Sequence, residues 1–215
     1  YDMQEGGSMR LTHSDDRFSI SASYIFTTHV DKYGGLWVGT KDGGVSWLGN
    51  GQRYFEKVYF SGDISLDSKL ISGFAYDGRG TMYLATEQGG CFAYSLEKGL
   101  LKPIKGLPLP MTYCFPCHDD GHLWLGSLNG LWKVDLASGA VRWYGVLKRS
   151  SGVSDPRVYT VYKASNGDLY AGTTLGMFRY DRRSDTFLSI DSMNGIFVTG
   201  FADDSFGNLW VSTYK

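Results

Sequence analysis

One seven-residue pattern returns five times along this chain and constrains it more than anything else in the sequence. Gly34-Gly35-Leu36-Trp37-Val38-Gly39-Thr40 recurs as Gly80-Thr81-Met82-Tyr83-Leu84-Ala85-Thr86 and as Gly121-His122-Leu123-Trp124-Leu125-Gly126-Ser127. It returns again as Gly167-Asp168-Leu169-Tyr170-Ala171-Gly172-Thr173 and Gly207-Asn208-Leu209-Trp210-Val211-Ser212-Thr213. The aromatic members at 37, 83, 124, 170 and 210 are spaced by 46, 41, 46 and 40 residues, in a chain of 215. That period is too short for a domain and long enough for one supersecondary unit, which must hide its apolar sides against its neighbours.

Each unit reads as four short strands. In the first they are Ile25 to Val30, Leu36 to Thr40, Val45 to Leu48 and Arg53 to Val58, parted by Gly-containing turns, and no segment keeps a 3.6-residue apolar period. The second strand is apolar on both faces, Leu36 and Val38 on one and Trp37 on the other, so both faces must be covered. The residue after this trio is always small (Gly39, Ala85, Gly126, Gly172, Ser212), as expected where a neighbouring sheet presses against the backbone. Composition agrees: 29 glycines, 15% aromatics and only five prolines suit many strands and tight turns. Four-stranded antiparallel sheets packed face to face around an axis form a β-propeller, all-β with about 40 to 45 residues per blade. A β-sandwich has no reason to repeat its sequence at this period.

The expected organisation is one propeller segment: a half blade at 1–20, blades at 21–65, 66–108, 109–152 and 153–194, and a half blade at 195–215. Residues 6–11 and 17–20 match the third and fourth strands of a blade, and 197–202 and 209–213 match a first and second. Truncation of a larger, seven-bladed propeller is the expected explanation; non-covalent closure into a five-bladed ring is the alternative. Tyr1 is not an initiator methionine, so the chain is expected to be cut from something longer, and the lack of address signals says little about compartment.

The pattern Asp-x-x-Gly-x-Leu-Trp-Val-Gly-Thr followed by Gly-Gly and an apolar strand, clearest at Asp31 to Val45, resembles the two-component regulator propeller repeats of bacterial hybrid histidine kinase ectodomains. The resemblance covers essentially the whole chain. Departures are His118 and Ala164 at the Asp position, Tyr83 and Tyr170 at the Trp position, and single Gly130 or Gly176 for the paired glycines. The resemblance implies a periplasmic sensor of carbohydrate breakdown products, homodimeric in the intact protein, tied to the membrane and a kinase by segments absent here.

Cys114-Phe115-Pro116-Cys117-His118 fits the haem attachment spacing and, less well, a redox pair. Internal alignment puts Cys114 with Thr27, Gly73, Thr160 and Gly200, and Cys117 with Val30, Tyr76, Lys163 and Asp203, so both are expected to be strand residues. Residues three apart on a strand face opposite sides. Cys91 reads as a small buried hydrophobe. The carboxylate pairs Asp15-Asp16, Asp119-Asp120 and Asp203-Asp204 are expected to serve turns, and the recurrent aromatics the core. His13, His29, His118 and His122 have no ligand spacing, so no metal, cofactor or catalytic residue is expected. A net charge of −1 with scattered basic pairs is a poor match to nucleic acid.

Ligand residues should be those that do not repeat. The loops from second to third strand and from fourth to the next first strand emerge at one end of the sheets. They supply Lys41, Asp42, Glu87, Gln88 and Asn129 from the first set and Tyr24, Lys69, Arg149 and Arg157 from the second. The longest connection, Gly145 to Arg157, carries Lys148, Arg149 and Arg157 and could receive an anionic sugar. The expected function is non-catalytic binding of a small oligosaccharide; a propeller enzyme of lyase or lactonase type and a protein-interaction scaffold are the alternatives.

Overall fold

A computed structural model describes residues 10–59, 69–109, 111, 115–145 and 147–214. Among the described residues the chain is all-β apart from one 3₁₀ turn, Asp191–Met193. It divides into two compact units, 1–71 and 72–215. In the first, β1 (Ile25–Val30), β2 (Leu36–Thr40), β3 (Val45–Leu48) and β4 (Glu56–Lys57) make one antiparallel sheet in chain order. The second sheet is β5 (Ile71–Tyr76), β6 (Thr81–Thr86), β7 (Gly90–Ser95) and β8 (Leu100–Pro103). The third is β9 (Phe115–Asp119), β10 (His122–Ser127), β11 (Gly130–Asp135) and β12 (Val141–Trp143). A short ribbon of β13 (Leu147–Lys148) and β14 (Ser154–Asp155) precedes the fourth sheet, β15 (Val158–Lys163), β16 (Leu169–Thr173), β17 (Gly176–Asp181) and β18 (Thr186–Ser189). A two-stranded sheet, β19 (Phe197–Asp203) and β20 (Leu209–Tyr214), follows.

The doubly apolar strand is sandwiched as expected. Leu123, Leu125, Tyr83, Ala85 and Val134 pack in one cluster from the second and third sheets. Trp124 faces the other way, into a cluster with Val158, Val161, Ala171 and Phe178. Leu123, Trp124 and Leu125 have no exposed surface, and each such side chain stabilises the fold by about 1.5 to 3 kcal/mol. The small-residue column is equally clear: a Cβ on Gly126 would lie 2.8 Å from Val158 Cγ1, and one on Gly172 2.7 Å from Val198 Cγ1. The first strand of the next sheet therefore rests directly on the backbone of β10 and β16.

A second column fixes the turns between second and third strands. Thr40, Thr86, Ser127 and Thr173 are fully buried, and their hydroxyls donate to the carbonyls of Gly44, Gly90, Gly130 and Gly176 at 3.0 to 3.3 Å. Three of these oxygens also accept an amide of the same turn, from Gly43, Asn129 and Leu175.

Three expectations need correction or qualification. The fourth strand of the first sheet is only Glu56–Lys57, because Phe55 is buried and turns its amide to Phe18 O at 3.0 Å instead of to the ladder. Trp37, Tyr83, Trp124 and Tyr170 are core, but Trp210 is 63% exposed, since no described residue of its unit covers that face of β20. In the amino-terminal segment, residues 10–20 form no strand, only bends and a turn at 15–19, and residues 1–9 lie outside the described residues.

Candidate functional site

The turn between first and second strands follows one design in the first sheet. Asp31 Oδ1 accepts the amides of Tyr33 and Gly35 at 2.9 Å, and Oδ2 accepts the Trp37 indole N–H at 2.9 Å. Burial alone would raise the Asp31 pKa, but these donors outweigh it and hold the carboxyl below its ordinary value. Asp204 repeats the design with the amides of Phe206 and Asn208 and the indole of Trp210, and the Asn208 amide side chain and that indole bring it down to about 2.

The third sheet departs from it. His118 occupies the Asp position, with a single acceptor nitrogen in place of two carboxylate oxygens, and the turn closes as a two-residue hairpin with Asp120 at φ 43° and Gly121 at φ 79°. Positive φ at both positions is the geometry that Asp-Gly favours. Trp124 Nε1 is left buried without a partner, inside a cage of Tyr144, Tyr180 and Phe187 with ring centroids 4.8 to 5.6 Å away.

Asp119, displaced from turn duty, is buried at the end of β9 and receives the Lys163 ammonium and the Arg182 guanidinium, the latter at 2.9 and 3.1 Å. Burial would lift its pKa, but hydrogen bonds and charge from the two cations hold it below the usual carboxylate range. The expectation that the Asp119-Asp120 pair serves its turn holds for Asp120, whereas Asp119 ties the third sheet to the fourth. Asp203, likewise, accepts Tyr162 Oη–H at 3.2 Å from the preceding sheet.

A cleft of about 750 Å³ opens above this turn. It is lined by Asp77, Arg79 and Tyr83 of the second sheet, His118 to Gly121 with Leu136 and Ala137 of the third, and Lys163 of the fourth. The His118 ring stacks on Tyr83, with centroids 6.0 Å apart and planes 10° off parallel. Burial lowers the His118 pKa; Asp77, Asp119 and Asp120 oppose this and Arg79 adds to it. Burial, then Asp77, pushes the Tyr83 phenol up to about 12. Asp77 is occupied, its Oδ1 accepting the amides of Arg79, Gly80 and Thr81 at 2.7 to 3.0 Å.

None of the residues expected to bind ligand lines this cleft; they sit at the opposite ends of the strands. In the first unit, Lys41 Nζ lies 5.3 Å from the Tyr24 ring centroid, with Asp42 beside it, and Lys69 is exposed. In the second, Glu87, Gln88 and Asn129 sit on turns. Arg157 is spoken for: its Nε donates to buried Asp155 at 3.0 Å and its Nη2 to Thr174 at 2.8 Å. Arg149 is different. Its Nε is buried without an acceptor, and Asn194 Oδ1, in the next loop of the same end, is buried without a donor. The two loops meet there, since a Cβ on Gly195 would lie 3.6 Å from Arg149 Nη1 and Ser150 Oγ donates to Asp191 Oδ1 at 2.7 Å. Sequence reasoning passed over Asn194 and also Trp143, 54% exposed and stacked on Trp132 with centroids 5.8 Å apart. The available signal was that Trp143 stands outside the repeated aromatic column.

Cys114 lies outside the described residues. Cys117 is buried against Trp124, Val161 and Tyr180, and burial pushes its thiol up to about 12, which opposes thiolate chemistry at neutral pH. Cys91 is buried likewise. Among the described residues no three His, Cys, Asp or Glu are placed to hold a metal ion, and no helix is long and apolar enough to cross a membrane.

Comparison with known proteins agrees with this architecture. Residues 19–42 match the family model of the two component regulator propeller. No curated protein matches in sequence. Among solved structures, the extracellular domain of the hybrid two component system BT4673 from B. thetaiotaomicron superposes with a TM-score of 0.71 at 19% identity, over 95% of this chain and 26% of that one. That of BT3049 from the same organism gives 0.71 at 16%, over 93% and 27%. Virginiamycin B lyase from Staphylococcus aureus gives 0.63 at 16%, over 94% and 65%. The chain thus spans about a quarter of the length of the two ectodomains. Its five recurring blocks, its four-stranded sheets and these structural matches give the chain the fold of a propeller segment, and within it residues 19–42 match the two component regulator propeller model.

Proposed function

We propose that this segment belongs to the periplasmic sensory part of a hybrid two-component protein and binds a small oligosaccharide without turning it over. The observation that carries the reading is the buried, unpaired donor of Arg149 and the buried, unpaired acceptor of Asn194, carried on two inter-sheet loops that converge. A sugar hydroxyl both donates and accepts, and an unmade buried hydrogen bond costs about 1 to 3 kcal/mol, so a ligand hydroxyl that reaches either group as the two loops part is favoured. Trp143, exposed beside the turn that carries Asn129, adds an apolar face of the kind that sugar rings stack on. Glu87, Gln88, Asn129 and Arg157 form the proposed surround in this unit, and Tyr24, Lys41, Asp42 and Lys69 the proposed contacts of the first unit. Arg157 positions Asp155 and Thr174 and is not the anchor for an acidic sugar.

A ligand biases signalling only by favouring one arrangement of the sheets over another, and contacts on two successive inter-sheet loops meet that requirement. A non-catalytic role is favoured by the state of the carboxylates: Asp31, Asp77, Asp119 and Asp204 are all held ionised by structural donors, and none is raised as a general acid requires. Calorimetric titration with a glycan panel should give binding that Arg149→Met weakens about tenfold, the ~1.4 kcal/mol of one good hydrogen bond. Product formation from any panel member, detected by chromatography, would replace this reading with an enzymatic one.

A further inference from the structure

The cleft at the other end of the sheets shares no residue with the loop end, and its polar groups fall into two sets. Asp77 and Asp119 are filled by backbone amides or by Lys163 and Arg182. Three side chains make no hydrogen bond among the described residues, and a fourth, Asp120, has only a long ion pair. Arg79 uses only its backbone amide, and neither the His118 ring nitrogens nor the Tyr83 hydroxyl makes a side-chain hydrogen bond. The Asp120 carboxylate is 89% exposed and 3.8 Å from Lys163. These offer a planar donor fork, an acceptor pair, and two groups that can each donate and accept.

Charge decides the class of ligand. Three carboxylates (Asp77, Asp119, Asp120) face three cations (Arg79, Lys163 and, behind Asp119, Arg182), so the cleft attracts neither an anion nor a cation strongly. Burial favours the neutral imidazole, which offers one N–H and one lone pair. The volume, about 750 Å³, suits one or two sugar-sized rings.

We propose that this cleft is a second binding site, for a small uncharged hydroxyl-rich molecule held by Arg79, His118, Asp120 and Tyr83 across the second and third sheets. Asp120 and Arg79 take adjacent hydroxyls as acceptor and donor, and the imidazole, backed by Tyr83, reads a third.

Resonances of the His118 ring, assigned with His118→Gln, can be followed in the full chain during titration with a neutral hexose, its disaccharide, the matching hexuronate and the matching hexosamine. The neutral sugars should shift them saturably. Arg79→Met and Asp120→Asn, both on exposed side chains, should each weaken that binding about tenfold, and Arg149→Met should leave it unchanged. Absence of a saturable shift, or tighter binding of hexuronate or hexosamine by tenfold, overturns the proposal. So does loss of the shift in Arg149→Met, which would make the response an echo of the loop end. Binding at the loop end without any cleft response would leave the oligosaccharide reading standing and this one fallen.

Discussion

The turns after β1 and after β9 begin from the same place in the repeat and end as different objects. In the first, one aspartate organises the loop and anchors a core tryptophan, so the turn is closed upon itself. In the third sheet a histidine takes that place, the loop tightens to Asp120-Gly121, and its acid, Asp119, reaches outward to Lys163 and Arg182. A turn that cannot satisfy itself becomes available to its neighbours. The cleft forms over a copy that breaks the rule.

The sharpest way to break the contrast is to remove each acid. Asp31→Ala strands the buried Trp37 N–H and two amides and should cost about 3 kcal/mol in urea unfolding. Asp119→Ala should cost about 2 kcal/mol, less than the ~3 to 5 of a fully buried pair because Arg182 is half exposed. Equal losses would mean that the two acids do the same job. Next come the tryptophans. Trp37→Phe breaks a hydrogen bond, whereas Trp124→Phe removes an unpaired donor, so the first should be worse by about 1 kcal/mol once ring burial is matched. A larger loss at Trp124 would indicate a partner for its N–H.

Of the same order is Gly121→Ala. Its φ of 79° costs an L-residue about 1 kcal/mol, and with no atom within 4 Å of the added methyl the cost is strain alone. The weakest effect is the pH dependence from His118. Its pKa is lowered from an ordinary 6.5, so between the two values the unfolded chain holds more protons and stability rises with pH. Acidification through that window should therefore destabilise the chain, and His118→Gln should flatten this part of the profile, leaving the same-signed contribution of His29. A profile unchanged by the substitution would place the His118 pKa at its ordinary value.

Much of the fold was legible because five copies align one another. Three of the four strand limits read for the first sheet match the observed ones, and the small column at Gly126 and Gly172 meets the neighbouring valines as its position required. The fourth strand was overextended because Phe55 looks like a ladder residue and its partner, Phe18, lies in an irregular segment. Trp210 shares the core phase, but phase cannot tell whether anything lies over it. The cleft was the least legible part. His118 is visible in the sequence as a departure, yet its consequence depends on Lys163 and Arg182, 44 and 63 residues beyond Asp119. Arg157 shows the converse: its place in the loop was read correctly, but its commitment to Asp155 needed coordinates.

The buried hydroxyl column has a consequence for how such a chain can diversify. Because Thr40, Thr86, Ser127 and Thr173 clamp their turns from inside, the tips at Lys41-Asp42, Glu87-Gln88 and Leu128-Asn129 carry little responsibility for folding. Side chains there can vary in size and charge within the backbone each needs, Gln88 being held at φ 64°, and a recognition surface can be rewritten while the scaffold beneath it stays unaltered.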